Sequence, residues 1–142
     1  MEGAGRMNSF PLKIVTPDGL KYDGTAEELI VRTTSGDMGI LAGHVNCVAP
    51  LGMGQATIFV DGKKRYAACI GGMVSVVKGK VTLVPTTFEW AEEIDVKRAN
   101  ASQEKAQNIL KDKSSTDTDL RLAEARLKRA LVRSNVAKNK PM

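Results

Sequence analysis

Ile94-Asp95-Val96-Lys97-Arg98-Ala99 is the stretch at which this chain stops reading as strands and begins reading as helices. Upstream, from Phe10 to about Val84, β-branched runs are broken by turn residues at intervals of about 8–12 positions, the pattern of a sandwich or small barrel. These runs predict strands over Leu12–Val15, Lys21–Thr25, Glu28–Thr33, Cys47–Pro50, Gly54–Val60, Lys63–Ala68, Met73–Val77 and Lys80–Val84. Asp61-Gly62 and Lys78-Gly79 each join two runs as tight hairpins, and Pro17-Asp18-Gly19 makes a further turn. Downstream the period becomes helical: Ala99, Ser102, Ala106, Ile109 and Leu110 recur at three- and four-residue steps, as do Leu120, Ala123, Leu127, Ala130, Leu131 and Ala137. Asp95 is placed to cap the first helix and Thr118 or Asp119 the second, with the polar segment Lys111–Thr118 turning between them. The expected fold is α+β, an antiparallel β-sandwich followed by an antiparallel two-helix hairpin whose small-residue seam buries little area.

At 142 residues the chain has room for one ordinary domain, or a small domain with an appendage. Its net charge of +5 conceals an asymmetry: residues 95–142 carry 12 Lys/Arg against 6 Asp/Glu, and residues 1–94 carry 9 against 10. A basic C-terminal third implies an acidic partner, which nucleic acid, an anionic membrane surface, a nucleotide or an acidic protein surface would satisfy. Cys47 and Cys69 stand 22 residues apart and His44 is the single histidine, so metal-ligand spacing is absent and two reduced thiols are the expected state. Met1–Phe10 lacks the basic start and apolar run of an export or transit signal, and residues 1–9 read as a flexible extension. No run approaches the roughly 18–20 apolar residues needed to cross a bilayer.

The segment Ser35–His44 packs Gly36, Gly39 and Gly43 around Asp37 and ends on the histidine. It lacks a Lys-Ser/Thr pair after the glycines and runs strand to strand, which argues against a phosphate-binding loop. A glycine-shaped connection and a protein-docking loop are its two readings. Asp37 and His44 have no recognisable nucleophile nearby, so a small hydrolase finds no support. Arg126, Arg129 and Arg133 share a stripe of the second helix beside its apolar face, and Arg98 joins them if the hairpin folds back. Converging guanidinium groups suit bidentate phosphate recognition. Asp95 would repel phosphates, so it serves better as an N-cap or facing a base amino group or ribose hydroxyl. A nucleic-acid-binding module is the alternative use of this basic face. The six aromatic residues do not interleave with the tail arginines, so that module would lack a stacking platform.

In order, Val15-Thr16-Pro17-Asp18-Gly19, the Ser35–His44 segment, Gly71-Gly72-Met73-Val74-Ser75-Val76, Val81-Thr82-Leu83-Val84, the Ile94–Ala99 hexapeptide and Leu127-Lys128-Arg129-Ala130 resemble the ε-subunit family of bacterial F-type ATP synthases. The resemblance implies a sandwich of about ten strands over residues 10–90 and a regulatory helical hairpin over residues 91–142. It further implies a non-catalytic central-stalk (rotor) subunit that couples ion translocation to ATP synthesis and inhibits ATP hydrolysis. Such a subunit is peripheral, on the cytoplasmic face of the bacterial plasma membrane, with no membrane insertion, no metal and no required cofactor. Its partners would be the γ subunit, the c-ring and, with the hairpin extended, the α and β subunits; nucleic acid is not among them. In this family the segment matching Ser35–His44 faces the c-ring and γ, which makes Asp37, Met38, Ile40 and His44 the implied contact residues. The hexapeptide matches an Ile/Leu-Asp-x-x-Arg-Ala motif of nucleotide-binding members, so ATP is the implied regulatory ligand. Carried over by position, its site would comprise Glu89, Ile94, Asp95, Arg98, Ala99, Arg129 and Arg133. In the extended state Arg126, Lys128, Arg129 and Arg133 would face an acidic segment of β. One position departs from the pattern: where strong binders carry a further arginine on the first helix, this chain has Lys105, whose compact ammonium cannot replace a planar fork.

Overall fold

A computed structural model describes residues 8–139. Of the extension expected over residues 1–9, only Asn8 and Ser9 fall within them. The period-two alternation upstream of the hinge produces ten strands: β1 (Phe10–Thr16), β2 (Gly19–Ala26), β3 (Glu28–Thr33), β4 (Gly36–Leu41), β5 (Cys47–Pro50), β6 (Met53–Val60), β7 (Lys63–Ile70), β8 (Met73–Val77), β9 (Lys80–Val84) and β10 (Thr87–Trp90). They form two five-stranded sheets, ordered β2-β1-β9-β8-β5 and β10-β7-β6-β3-β4. β1 and β9 run parallel, Leu12 opposite Val81 and Ile14 opposite Leu83, while the other ladders are antiparallel. Alternate residues meet between the sheets, where Leu12, Ile14, Leu29, Val31, Ile40, Ile58, Val74, Val76 and Leu83 are fully buried. Phe88 and Trp90 close one end of this core edge-to-face, 4.9 Å between ring centroids.

Both predicted hairpin turns form with two successive positive-φ residues, Asp61 (51°) with Gly62 (77°) and Lys78 (49°) with Gly79 (79°). That combination matches the right-handed twist of the strands it joins. The stretch read as a loop at Ser35–His44 is in large part a strand. Its glycines and Asp37 mask the alternation, yet β4 pairs with β3 from Thr33 opposite Gly36 to Glu28 opposite Leu41. β10 was not legible from the residues alone, being four residues long with Thr87 and Glu89 on its outer side.

A short 3-10 turn, Ala91–Glu93, leads out of β10 into α1 (Val96–Lys111) and then α2 (Asp117–Ala137). Asp95 caps α1 as expected, its Oδ1 accepting from the Arg98 N–H at 3.0 Å. The second cap differs: Thr116, not Thr118 or Asp119, precedes α2. Its hydroxyl accepts from the Asp119 N–H while the Asp119 carboxylate accepts from the Thr116 N–H, both at 3.1 Å. This reciprocal box satisfies two donors at once, which neither expected cap would do. Between the helices, the backbone N–H and then the hydroxyl of Ser114 donate to Asp112 and hold its carboxyl below the usual range. Cys47 is half-buried, Cys69 is buried in the core, and both are free thiols.

Gly72 sits at φ +91°, and a Cβ there would drive into the Val84 carbonyl and the Cα of Pro85. Gly62 also has positive φ but faces open space. In urea unfolding, Gly72→Ala should therefore cost more than about 3 kcal/mol and Gly62→Ala only about 1 kcal/mol. Burial pushes the Cys69 thiol up to about 12 from 9.0, so the folded chain retains a proton that the unfolded chain releases. The contribution of this thiol to stability is complete below about pH 9 and declines as pH rises towards about 12. Unfolding midpoints across that range should fall more steeply in the wild type than in Cys69→Ala.

Candidate functional site

Alternation in β10 turns Phe88 and Trp90 into the core and leaves Glu89 on the outer face of its sheet. There Glu89 lies opposite Ala68 of β7, which lies opposite Gln55 of β6. This three-strand row receives the end of α2. Arg133 pairs with Glu89, its Nη2 donating to Oε2 at 3.2 Å while Nε lies 2.6 Å from Oε1 as a close charge contact outside hydrogen-bonding geometry. Val136 and Ala137 pack in one cluster with Ala68, and Asn139 Nδ2 donates to Gln55 Oε1 at 2.6 Å. Arg133 and Val136 lie near the end of α2 and Asn139 just past it, so the helix terminus and the turn after it reach β10, β7 and β6.

The chain enters the hairpin at the same place. Ile94 is buried among Ala68, Ala91, Val136 and Ala137, flanked by Tyr66 and Val132. The linker before it is fastened to the sandwich: the Arg65 guanidinium lies 3.6 Å over the Trp90 ring, and its Nη2 donates to Glu92 Oε1 at 2.9 Å. The Trp90 N–H donates to Glu93 Oε1 at 3.2 Å. Beyond this base the two helices meet along buried Ala99, Ala106, Ala123 and Ala130, with Ser134 Oγ donating to Asn100 Oδ1 at 3.3 Å.

Of the residues expected to form one ligand site, the structure joins Glu89 and Arg133 directly. Ile94 and Ala99 serve as packing residues, and Asp95 is occupied by its capping bond. Arg98, Lys105, Arg126, Lys128 and Arg129 are exposed, and none of them forms an ion pair among the described residues. Arg65, Ala68, Gln55, Val136 and Asn139 were missed. One signal was present: Ala67-Ala68-Cys69-Ile70 is an unbroken apolar run, as a strand covered on both faces requires, and all four residues are buried.

The expected contact residues separate by pleat. Asp37 is exposed, its Oδ1 accepting from Arg32 Nε at 2.7 Å, and His44 is half-buried with Nδ1 2.9 Å from the Val45 carbonyl oxygen. Ile40 is fully buried between the sheets and Met38 packs half-buried against the same core, while the next residue, Leu41, is exposed. On the outer face of the other sheet, Val48 (60% exposed), Met73 (48%), Val77 (51%) and Val84 (47%) stand in solvent, Met73 directly between Pro50 and Val84. Apolar residues gathered on one sheet face form an exposed apolar patch. Among the described residues there is no metal-binding cluster, and no helix is long and apolar enough to cross a membrane.

The chain matches two family models, the β-sandwich domain of the ATP synthase delta/epsilon chain over residues 9–91 and its long α-helix domain over residues 92–138. The ATP synthase epsilon chain of Bacillus velezensis is 44% identical over 133 residues, which cover 94% of this chain and all of that one. The epsilon chain of Ruminococcus albus is 42% identical over 135 residues, with 94% and 100% coverage. In fold, the chain is similar to one in the Euglena gracilis mitochondrial ATP synthase structure comprising OSCP, F1 and c-ring, with a TM-score of 0.80, 24% identity, and coverage of 98% of this chain and 88% of that one. Two contiguous domain matches and full-length bacterial relatives lead to one conclusion: this chain belongs to the ATP synthase delta/epsilon chain family.

Proposed function

We propose that this chain is a non-catalytic rotor subunit of an ATP synthase, carried on γ and the c-ring at the cytoplasmic face of a bacterial plasma membrane, whose hairpin restrains ATP hydrolysis and senses ATP. The observation that carries the reading is the way the hairpin is fastened. The end of α2 and Asn139 just past it meet the sandwich through a small alanine-rich cluster and two polar contacts, while Arg98, Arg126, Lys128 and Arg129 stay exposed. A base of that size suits a switch between a closed hairpin and one extended among α and β. The apolar face of Val48, Met73, Val77 and Val84 supports docking on γ, with Asp37 and His44 as further contacts towards the c-ring.

In this reading ATP binds the closed form through the residues around Arg98, Arg129 and Arg133. It shifts the population only by its differential affinity for that form. Lys105, in place of a further arginine, lowers the affinity. The acidic segment of β attracts the basic face when the hairpin extends. Deleting residues 95–142 should raise ATP hydrolysis by membrane-bound enzyme under conditions where the full-length subunit restrains it; unchanged hydrolysis rejects the inhibitory role. Titrating the isolated chain with ATP should change the fluorescence of Trp90, the neighbour of Glu89, at up to millimolar concentrations. The response should disappear in Arg98→Ala with Arg129→Ala, and an undiminished response there rejects the site.

A further inference from the structure

Arg133 and Glu89 are the one pair of oppositely charged side chains that tie the hairpin to the sandwich among the described residues. The pair is more than a surface contact. Arg133 Nη2 donates to Glu89 Oε2 while Nε lies 2.6 Å from Oε1, the side chains are only 21% and 35% exposed, and the partners come from opposite sides of the hinge, 44 residues apart. We propose that the Glu89–Arg133 ion pair is a ligand-independent latch that holds the hairpin closed on the sandwich.

Three features support a latch rather than incidental pairing. The apolar cluster beside it is built largely from Ala68, Ala91 and Ala137, with Ile94 and Val136 as its larger aliphatic members, so hydrophobic burial alone leaves the closed state weakly held. Alanine also offers a smooth surface on which α2 has no preferred position, and a charge-assisted arginine–carboxylate contact supplies one. Finally, the linker is independently fixed by Arg65 on Trp90 and Glu92, so breaking the latch frees the hairpin without loosening the sandwich end of the hinge. Arg133 is also one of the residues assigned to ATP in the reading above. A polyphosphate drawing on the same Nε and Nη2 edge would have to displace Glu89, so latch and ligand compete for that edge of the guanidinium.

The test needs no nucleotide, so it stands or falls apart from the ATP assignment. Ala91 is fully buried in the cluster under α2, whereas Cys69 is buried in the sandwich core. In full-length protein carrying Cys47→Ser and Ala91→Cys, the labelling rate of the introduced thiol reads undocking of the hairpin, and that of Cys69 reads global unfolding. Glu89→Gln and Arg133→Gln should each accelerate the first rate by about tenfold, and together by no more than either alone, as expected of partners in one contact. Cys69 labelling should not change, and the reversed pair Glu89→Arg with Arg133→Glu should restore slow labelling. Unchanged rates in the single variants would overturn the latch. So would additive effects with no rescue by the reversed pair, or an equal acceleration at Cys69.

Discussion

The hairpin docks on one row of residues across three strands, Glu89, Ala68 and Gln55, and the rest of the arrangement depends on how the end of α2 meets that row. Arg133 near the end of α2 meets Glu89 on β10, Val136 joins the cluster around Ala68 on β7, and Asn139, just past the helix, meets Gln55 on β6. The chain leaves the sheet at the edge strand β10, runs out along α1, and returns along α2 to cross the strands it left. Ile94 lies at the crossing, so the entrance to the hairpin and its end share one cluster. Small side chains let the helix approach closely. Charged and amide groups on either side of them decide where it stops.

The sheets were legible wherever apolar and polar residues alternate without interruption, as in Phe10–Thr16 and Lys80–Val84, because one-sided burial imposes that period. β4 escaped because Gly36 and Gly39 contribute no side chain to either face, and its inward positions are Met38 and Ile40 alone. The cap of α1 was plain, since Asp95 is followed at once by a helical period. The cap of α2 was not, because Thr116, Asp117, Thr118 and Asp119 are all capping types and only the reciprocal pair of bonds discriminates among them. Within the site, the resemblance to a family pointed to both Glu89 and Arg133 without indicating that they hold each other. No local pattern reports a contact between residues 44 positions apart.

The sandwich has two outer faces, and the chain treats them differently. One accepts α2 and presents Tyr66, Ala68, Gln55 and Glu89 to it. The other keeps Val48, Met73, Val77 and Val84 in solvent. Charge is divided in the same manner: the excess of lysine and arginine lies in the helices, and most of it remains hydrated on their outer sides, where high dielectric keeps mutual repulsion small. Arg133 is the exception, brought to the sheet and neutralised there, while Arg65 is spread over an indole and paired with Glu92.

Ala99 and Ala106 on one helix, and Ala123, Ala130 and Ala137 on the other, recur every seventh position. A methyl group is the smallest side chain that can line a seam, and little apolar area is uncovered when such a seam parts. Each helix meanwhile closes its own backbone hydrogen bonds, and the Asp95 and Thr116 caps lie within the residues they serve. The hairpin can therefore come apart as two stiff rods without any turn of either melting. The amide backbone would look the same before and after, and only the separation between the rods would record the change.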